Sequence, residues 1–581
     1  MTTLLMTALL LTQTLPTGYW PLEKSQPLID KTQTIRLSGD LSKLSEGERK
    51  AVAKLIEAGQ IFQKLYEEQR HPQALESYRA LVELDKRTGS TPATQNLLTL
   101  YRLFQGPIAT TLDNKREPFL PVDPLKPGKN VYPWGIAKEA VDQNRADLLD
   151  LRSVVRTTTA KNLKDDIAAL QKYPALQTLH PKLLGELQRL QPGAAKDSVY
   201  SVPYAVAYAD DLMKAYGLLN EAADAVAKDD DEFARYLRNR ARDLLSNDYE
   251  SGDASWVTGR FKNLNAQIGS YETYDDELFG VKTFFSFCLL QSRQAETTAL
   301  RQAMKGLQAL EDSLPYQNHK KVREDIPVGV YDVVADFGQS RGGNTATILP
   351  NESYLARRYG RIIMLRANIM RDTSIFEGVS RTLAAALGEQ QAKELTPDGN
   401  FYRTLWHEVG HYLGVDRTRD GRELDEALQD NANTLEEMKA DLVSLFVAQA
   451  LHKNGYYTDA QLRSVYAGGI LRVLQNNRPR RDQPYNTMQL MQWNFYLENG
   501  LLSFDPATKT MRVNYEKYHD VVGKMLEKTL AVQYAGDKAE SDRFIDQYTK
   551  WDENMHGVIA ANIRAQQRYR FRVFKYAALG E

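Results

Sequence analysis

The chain has 581 residues, room for roughly two to four domains, and its 42% apolar and 26% charged residues are the composition of a folded globular protein rather than a disordered one. Lys+Arg 74 against Asp+Glu 75 leaves a net charge of -1, which excludes a global basic field for nucleic acid. A single cysteine, Cys288, excludes a disulfide framework and any multi-cysteine metal site, so a metal would have to be held by carboxylates and the eight histidines.

Residues 4–11 read LLMTALLL, the length of a signal-peptide core, yet no Lys or Arg precedes them and no clear A-x-A site follows. Residues 1–20 are therefore either a signal peptide or an apolar segment docked on the fold, and the compartment, cytoplasmic or exported, stays open. No apolar run approaches the ~20 residues of a membrane helix, so no integral membrane segment is expected.

Residues 45–103 carry helical apolar spacing, without a second copy at a period of ~34 residues that would mark a solenoid. Pro118, Pro121, Pro124, Pro127 and Pro133 exclude regular helix from the next stretch and predict an extended segment over a surface. Helical periodicity resumes from 136 to about 248. The β-branched runs at 328–336, 345–349 and 361–366 predict strands. From 374 onward the pattern is again mostly helical, with the charges of 515–568 read as a solvated face. The fold class is α+β, helix-rich, with one small β region.

His407-Glu408-Val409-Gly410-His411 is H-E-x-x-H, and Tyr402, Leu405, Val409, Tyr412 and Leu413 predict a helix around it that ends near Gly414. Two histidines at i and i+4 share a helical face and can grip one zinc at ~2.0–2.1 Å, with Glu408 between them placed as a general base toward an attacking water. A tetrahedral catalytic site needs one more protein ligand. Residues 434–441 read TLEEMKAD, with Leu435, Met438, Leu442, Leu445 and Phe446 on one stripe and Glu437, Asp441 and Ser444 on another face. Thr434 to Glu437 also spells a capping box, in which Glu437 would only bond the backbone of Thr434. With two histidines already waiting for a partner, Glu437 is the economical third ligand, Glu436 the fallback, and Asp441 is placed to orient a ligating histidine.

In these two segments the sequence resembles the dipeptidyl peptidase III family of zinc metallopeptidases, whose second helix carries E-E-x-x-A-[DE], here Glu436 to Asp441; the five-residue spacing of the histidines is the family's shorter variant. Ser270-Tyr271-Glu272-Thr273-Tyr274-Asp275 resembles its E-[ST]-Y segment, which implies that Glu272 holds the substrate amine and Tyr274 stabilises the oxyanion. Ile348-Leu349-Pro350-Asn351 is similar to its N-x-P-N segment: Asn351 matches as a substrate-binding residue, and Ile348 replaces the first amide. Leu490-Met491-Gln492 stands where the family has H-M-Q, without the histidine. Arg478, Arg480 and Arg481 read as a solvated loop outside the site.

The resemblance implies two lobes flanking a wide cleft: a mixed α/β lobe over 21–373 carrying Glu272 and Tyr274, and a mainly helical zinc-binding lobe over 374–581. It implies one zinc per chain and an oligopeptide substrate from whose free N-terminus dipeptides are released. Some relatives are fused to a Nudix domain, but no G-x5-E-x7-R-E-x2-E-E box occurs here. Two other readings stay open at this level: a zinc endopeptidase or other amide hydrolase, and a zinc-containing peptide-binding protein weakened in catalysis by the changes at Ile348 and Leu490.

Overall fold

The computed structural model describes residues 15–581 except 144, 193–197, 324–325, 476–477 and 480–482. The apolar run at 4–11 lies outside the described residues. None of the described helices is long and apolar enough to cross a membrane.

Residues 45–103 form three helices, α1 (Glu46–Arg70), α2 (Ala74–Thr88) and α3 (Pro92–Phe104). α1 starts at a reciprocal capping box: Ser45 Oγ accepts from the Glu48 N–H at 3.0 Å, while Glu48 Oε2 accepts from the Ser45 N–H at 2.8 Å. It packs on α4 (Ala209–Val226) and lies across the central sheet, where Phe62 meets Phe285 and Phe287 edge-on at ring separations of 5.5 and 5.4 Å. Such pairs add about 0.5–1.5 kcal/mol each beyond their buried area. The proline-rich stretch from 119 to 137 has neither helix nor strand.

β1 (Thr32–Leu37) pairs in parallel with a strand at the far end of the chain, β9 (Phe571–Tyr576), in the register Thr32↔Phe571. Arg102 of α3 clamps this return, donating to the Phe574 carbonyl at 2.8 Å and pairing with Glu581. The C-terminal third is mostly helical, as expected, and holds in addition this strand and the hairpin of Leu502–Asp505 with Thr510–Val513. The stretch 136–248 is also not wholly helical, because β2 (Ser153–Thr157) and β3 (Val199–Pro203) form an antiparallel pair within it. Five-residue strands are shorter than the window over which a helical period declares itself.

The central sheet has the spatial order β4 (Leu264–Ser270), β5 (Phe285–Ser292), β6 (Val328–Gly338), β8 (Ile362–Arg366), β7 (Ala346–Leu349). β4, β5 and β6 run antiparallel, β8 is parallel to β6, and β7 closes the edge antiparallel to β8. The three strands predicted at 328–366 are present, and two more join them upstream.

Two large apolar cores flank this sheet. One gathers α1, α4 and β5 around Phe62, Phe287 and Tyr236; the other is helical, around Trp406, Leu442, Trp493 and Tyr518. β6 serves both, with Val328 and Val330 in the helical core and Val333, Val334 and Phe337 in the first. The loop after β4, which carries Glu272, is thereby tied through the sheet to the helices that carry the histidines.

Candidate metal centre

α5 (Pro397–Gly410) buries Phe401, Leu405, Trp406 and Val409 against the helical core, which fixes the face on which His407 stands. The helix ends earlier than the predicted Gly414: His411 occupies the C-cap, and the chain leaves through Gly414 at φ +77°. A Cβ on Gly410 would stand 2.7 Å from the Ala440 carbonyl oxygen, so only glycine lets α5 approach α6 (Ala432–Lys453) this closely. α6 starts at Ala432 with Asn431 at its N-cap, which puts Thr434 inside the helix; the capping box does not form, and Glu437 faces α5 instead.

One ligand atom from each of His407, His411 and Glu437 lies within 4.8 Å of the others. Glu437 Oε2 is 3.3 Å from His407 Nε2 and 4.0 Å from His411 Nε2. Ligand atoms around a tetrahedral cation with bonds of ~2.1 Å sit about 3.4 Å apart, so small side-chain rotations close the set. Glu437 Oε2 is buried and accepts no hydrogen bond from any described residue, an orphan that a cation would satisfy. The donor set of two imidazoles and one carboxylate therefore fits a single divalent metal.

Both remaining imidazole nitrogens are braced. His407 Nδ1 lies 2.7 Å from Asp441 Oδ1, and His411 Nδ1 lies 3.0 Å from Glu436 Oε1. These bonds put the proton on Nδ1 and turn the Nε2 lone pairs toward Glu437. The braces are themselves held: Arg403 donates to Asp441 at 2.7 Å, and Lys439 Nζ reaches Glu436 at 2.8 Å. The fallback ligand Glu436 is thus a brace, and the acidic motif of α6 divides its work three ways.

Electrostatics follow the packing. Burial alone would lower the His407 imidazole, but Asp441 and then Glu437 outweigh it and raise it to about 9. Burial likewise works against ionised Asp441, and Arg403 with His407 holds it well below the ordinary carboxylate range. Glu436 is pulled down to about 2 by Lys439 and His411 against its own burial. Glu408, half-buried one residue beyond His407, makes no hydrogen bond with a described residue.

The other expected site residues belong to the loops of the central sheet. Asn351 Nδ2 donates to Glu272 Oε1 at 3.2 Å and to the Tyr271 carbonyl at 3.3 Å, so these two are brought together. Tyr271 anchors the loop from below: its hydroxyl donates to Asp253 at 2.7 Å and accepts from Arg240 at 2.7 Å, all in the core. Further along, the Asp276 carboxylate accepts from the N–H groups of Leu278, Phe279, Val281 and Lys282. Tyr274 is 82% exposed, with Glu272 as its charged neighbour, and makes no hydrogen bond with His407, His411 or Glu437.

Ile348 stands in β7 opposite Ile363, as a sheet residue. Leu490, Met491 and Gln492 are buried at 0%, 0% and 1% exposure in α8 (Pro484–Glu498), the helix after α7 (Asp459–Leu474), so that register faces the core. The α8 side chain that reaches the metal cluster is Tyr485: its ring lies 4.9 Å from the Arg472 guanidinium, whose Nε is 3.7 Å from Asp441 Oδ2, and burial together with the nearby Glu437 carboxylate raises its phenol. Sequence reasoning missed Tyr485, along with Arg403, Lys439 and Arg472. Arg478 pairs with Glu553, while Arg480 and Arg481 lie outside the described residues.

Residues 390–480, which include α5 and the greater part of the cluster's neighbours, match the family model of zincin-like metallopeptidases. Over 363 residues, 61% of its length, the chain is 27% identical to Nudix hydrolase 3 of Arabidopsis thaliana; the matched stretch spans 46% of that protein, under half of its length. Among solved structures, dipeptidyl peptidase III from Caldithrix abyssi superposes with a TM-score of 0.78 at 23% identity, covering 95% of this chain and 99% of that one. Dipeptidyl-peptidase III from Corallococcus sp. strain EGB gives 0.69 at 23% identity over 97% and 98%. In class, the chain holds a zincin-like metallopeptidase segment on a pair of closely packed helices. The particular architecture around that segment is the dipeptidyl peptidase III fold, over nearly the whole chain.

Proposed function

We propose that the protein is a zinc metallopeptidase that hydrolyses peptide bonds and releases dipeptides from the free N-terminus of oligopeptides. The observation that carries this reading is the convergence of His407, His411 and Glu437 within 4.8 Å, with each imidazole braced by its own carboxylate. Zinc bound there supplies Lewis-acid polarisation of the scissile carbonyl.

The rest is done by the chain. Glu408 takes the proton of the attacking water and passes it to the leaving amine. Asp441 and Glu436 keep the imidazoles in the ligating tautomer. Glu272 and Asn351 grip the substrate ammonium, so that the cleaved bond stands a fixed distance from the N-terminus. Tyr274, on the Glu272 loop, is the expected donor to the oxyanion from the substrate-gripping side. In this reading the mixed lobe is 21–373, the catalytic lobe is 374–581, and the peptide lies between them.

The test compares free-amine and N-acetylated tetrapeptides with zinc-loaded protein and identifies the products. Dipeptides from the free-amine substrate alone are expected. Equal turnover of both substrates overturns the dipeptidyl assignment, and cleavage of neither overturns the peptidase reading.

A further inference from the structure

α8 is buried almost all round: Met488, Leu490, Met491, Trp493 and Tyr496 are at 0% exposure. Tyr485, in its first turn, is 40% exposed, and the acidic groups whose charge its phenol feels are Glu437 and, more weakly, Glu408. One is the carboxylate of the metal cluster and the other the general base assigned above. A carbonyl attacked by a water on Glu408 and polarised from the cluster has to lie between these same two groups.

The ring cannot swing away without cost. It sits on the Arg472 guanidinium at 4.9 Å, and Arg472 Nε stands 3.7 Å from Asp441 Oδ2, on the carboxylate that braces His407. The phenol is therefore indexed to the same network that sets the ligands, whereas Tyr274 is 82% exposed and makes no hydrogen bond to that cluster.

Resting on the peptidase reading, we infer that Tyr485, half-exposed and held on Arg472 beside the ligand network, is a catalytic residue: its hydroxyl donates a hydrogen bond to the scissile carbonyl oxygen as negative charge develops there. A phenol is protonated at neutral pH, and a fixed donor aimed at a developing oxyanion is worth about 10²–10³-fold in kcat. No proton is transferred by this residue; the water proton still travels through Glu408.

The experiment uses Tyr485→Phe, which keeps the ring on Arg472 and removes only the oxygen. Zinc content is measured first, then turnover of a free-amine tetrapeptide, then calorimetric binding of a phosphinic analogue of that tetrapeptide, which carries an anionic oxygen at the reacting position. One zinc per chain, a kcat lower by about 10²–10³-fold, KM within about threefold, and analogue binding weakened in parallel are expected. Wild-type kcat with wild-type analogue affinity overturns the inference. So does loss of zinc with activity restored by excess zinc, since Tyr485 would then only position Glu437. If the wild-type protein cleaves no peptide the parent reading fails, and equal analogue binding by the two proteins still overturns the role of Tyr485.

Discussion

Asp441 Oδ1 stands 2.7 Å from His407 Nδ1, and Asp441 follows Glu437 by one helical turn on α6. A single helix thus presents one candidate metal ligand and braces another that comes from α5. The spacing of four residues is what places both carboxylates on the face that Gly410 lets α5 approach.

Removing the brace charge should therefore weaken the metal without touching a ligand. Asp441→Asn is expected to lower zinc affinity about 10–100-fold, read by competition with a chromophoric chelator. Wild-type affinity in this variant would contradict the bracing role.

The helix contact can be tested by size. Gly410→Ala puts a methyl 2.7 Å from the Ala440 carbonyl oxygen, and the expected loss is about 1–3 kcal/mol of stability together with weaker zinc binding. Gly378→Ala, where nothing lies within 4 Å, is the control and is expected to be neutral or stabilising by about 0.4–1 kcal/mol. Thermal denaturation with and without zinc separates the two; equal behaviour would show that α5 and α6 do not depend on this contact.

On the substrate side, Glu272→Gln removes the negative charge that Asn351 supports at 3.2 Å. A charge-assisted hydrogen bond is worth about 1.5–3 kcal/mol, so KM for free-amine peptides should rise about 10–100-fold while metal content stays at the wild-type level. An unchanged KM would place the amine elsewhere.

Lys282, at the end of the Glu272 loop, supplies a pH signature of the fold. Its Nζ donates to the Asp150 carbonyl at 2.8 Å and to Ser153 Oγ at 2.6 Å, and burial lowers its pKa from 10.5 to about 8. Between pH 8 and 10.5 the unfolded chain keeps a proton that the folded one has lost, so this group makes stability rise with pH across that window and contributes no slope below it. The stability difference between wild type and Lys282→Met should move by about 3 kcal/mol in favour of wild type from pH 7 to 10.5, measured by urea unfolding. A difference that stays flat with pH would contradict a buried, depressed lysine.

What could be read in the sequence was local. The convergence of His407, His411 and Glu437 and the bracing of His407 by Asp441 were legible in side-chain spacing on two helices, and three of the five strands of the central sheet in runs of β-branched residues. β4 and β5 escaped because LNAQIGS and FSFCLLQS are buried on both faces, so neither shows the alternation of a half-exposed strand. The β1–β9 pairing escaped because nothing in Thr32–Leu37 signals a partner at Phe571–Tyr576. Tyr485 escaped because α8, buried nearly all round, carries no polar stripe to fix which of its residues faces the cluster.

The central claim is that two imidazoles of α5 and one carboxylate of α6 hold one metal ion. Elemental analysis of the purified wild-type, Glu408→Ala and Glu437→Ala proteins tests it most directly. One zinc per chain in the first two and none in Glu437→Ala is the expected result; stoichiometric zinc in Glu437→Ala would contradict the ligand set.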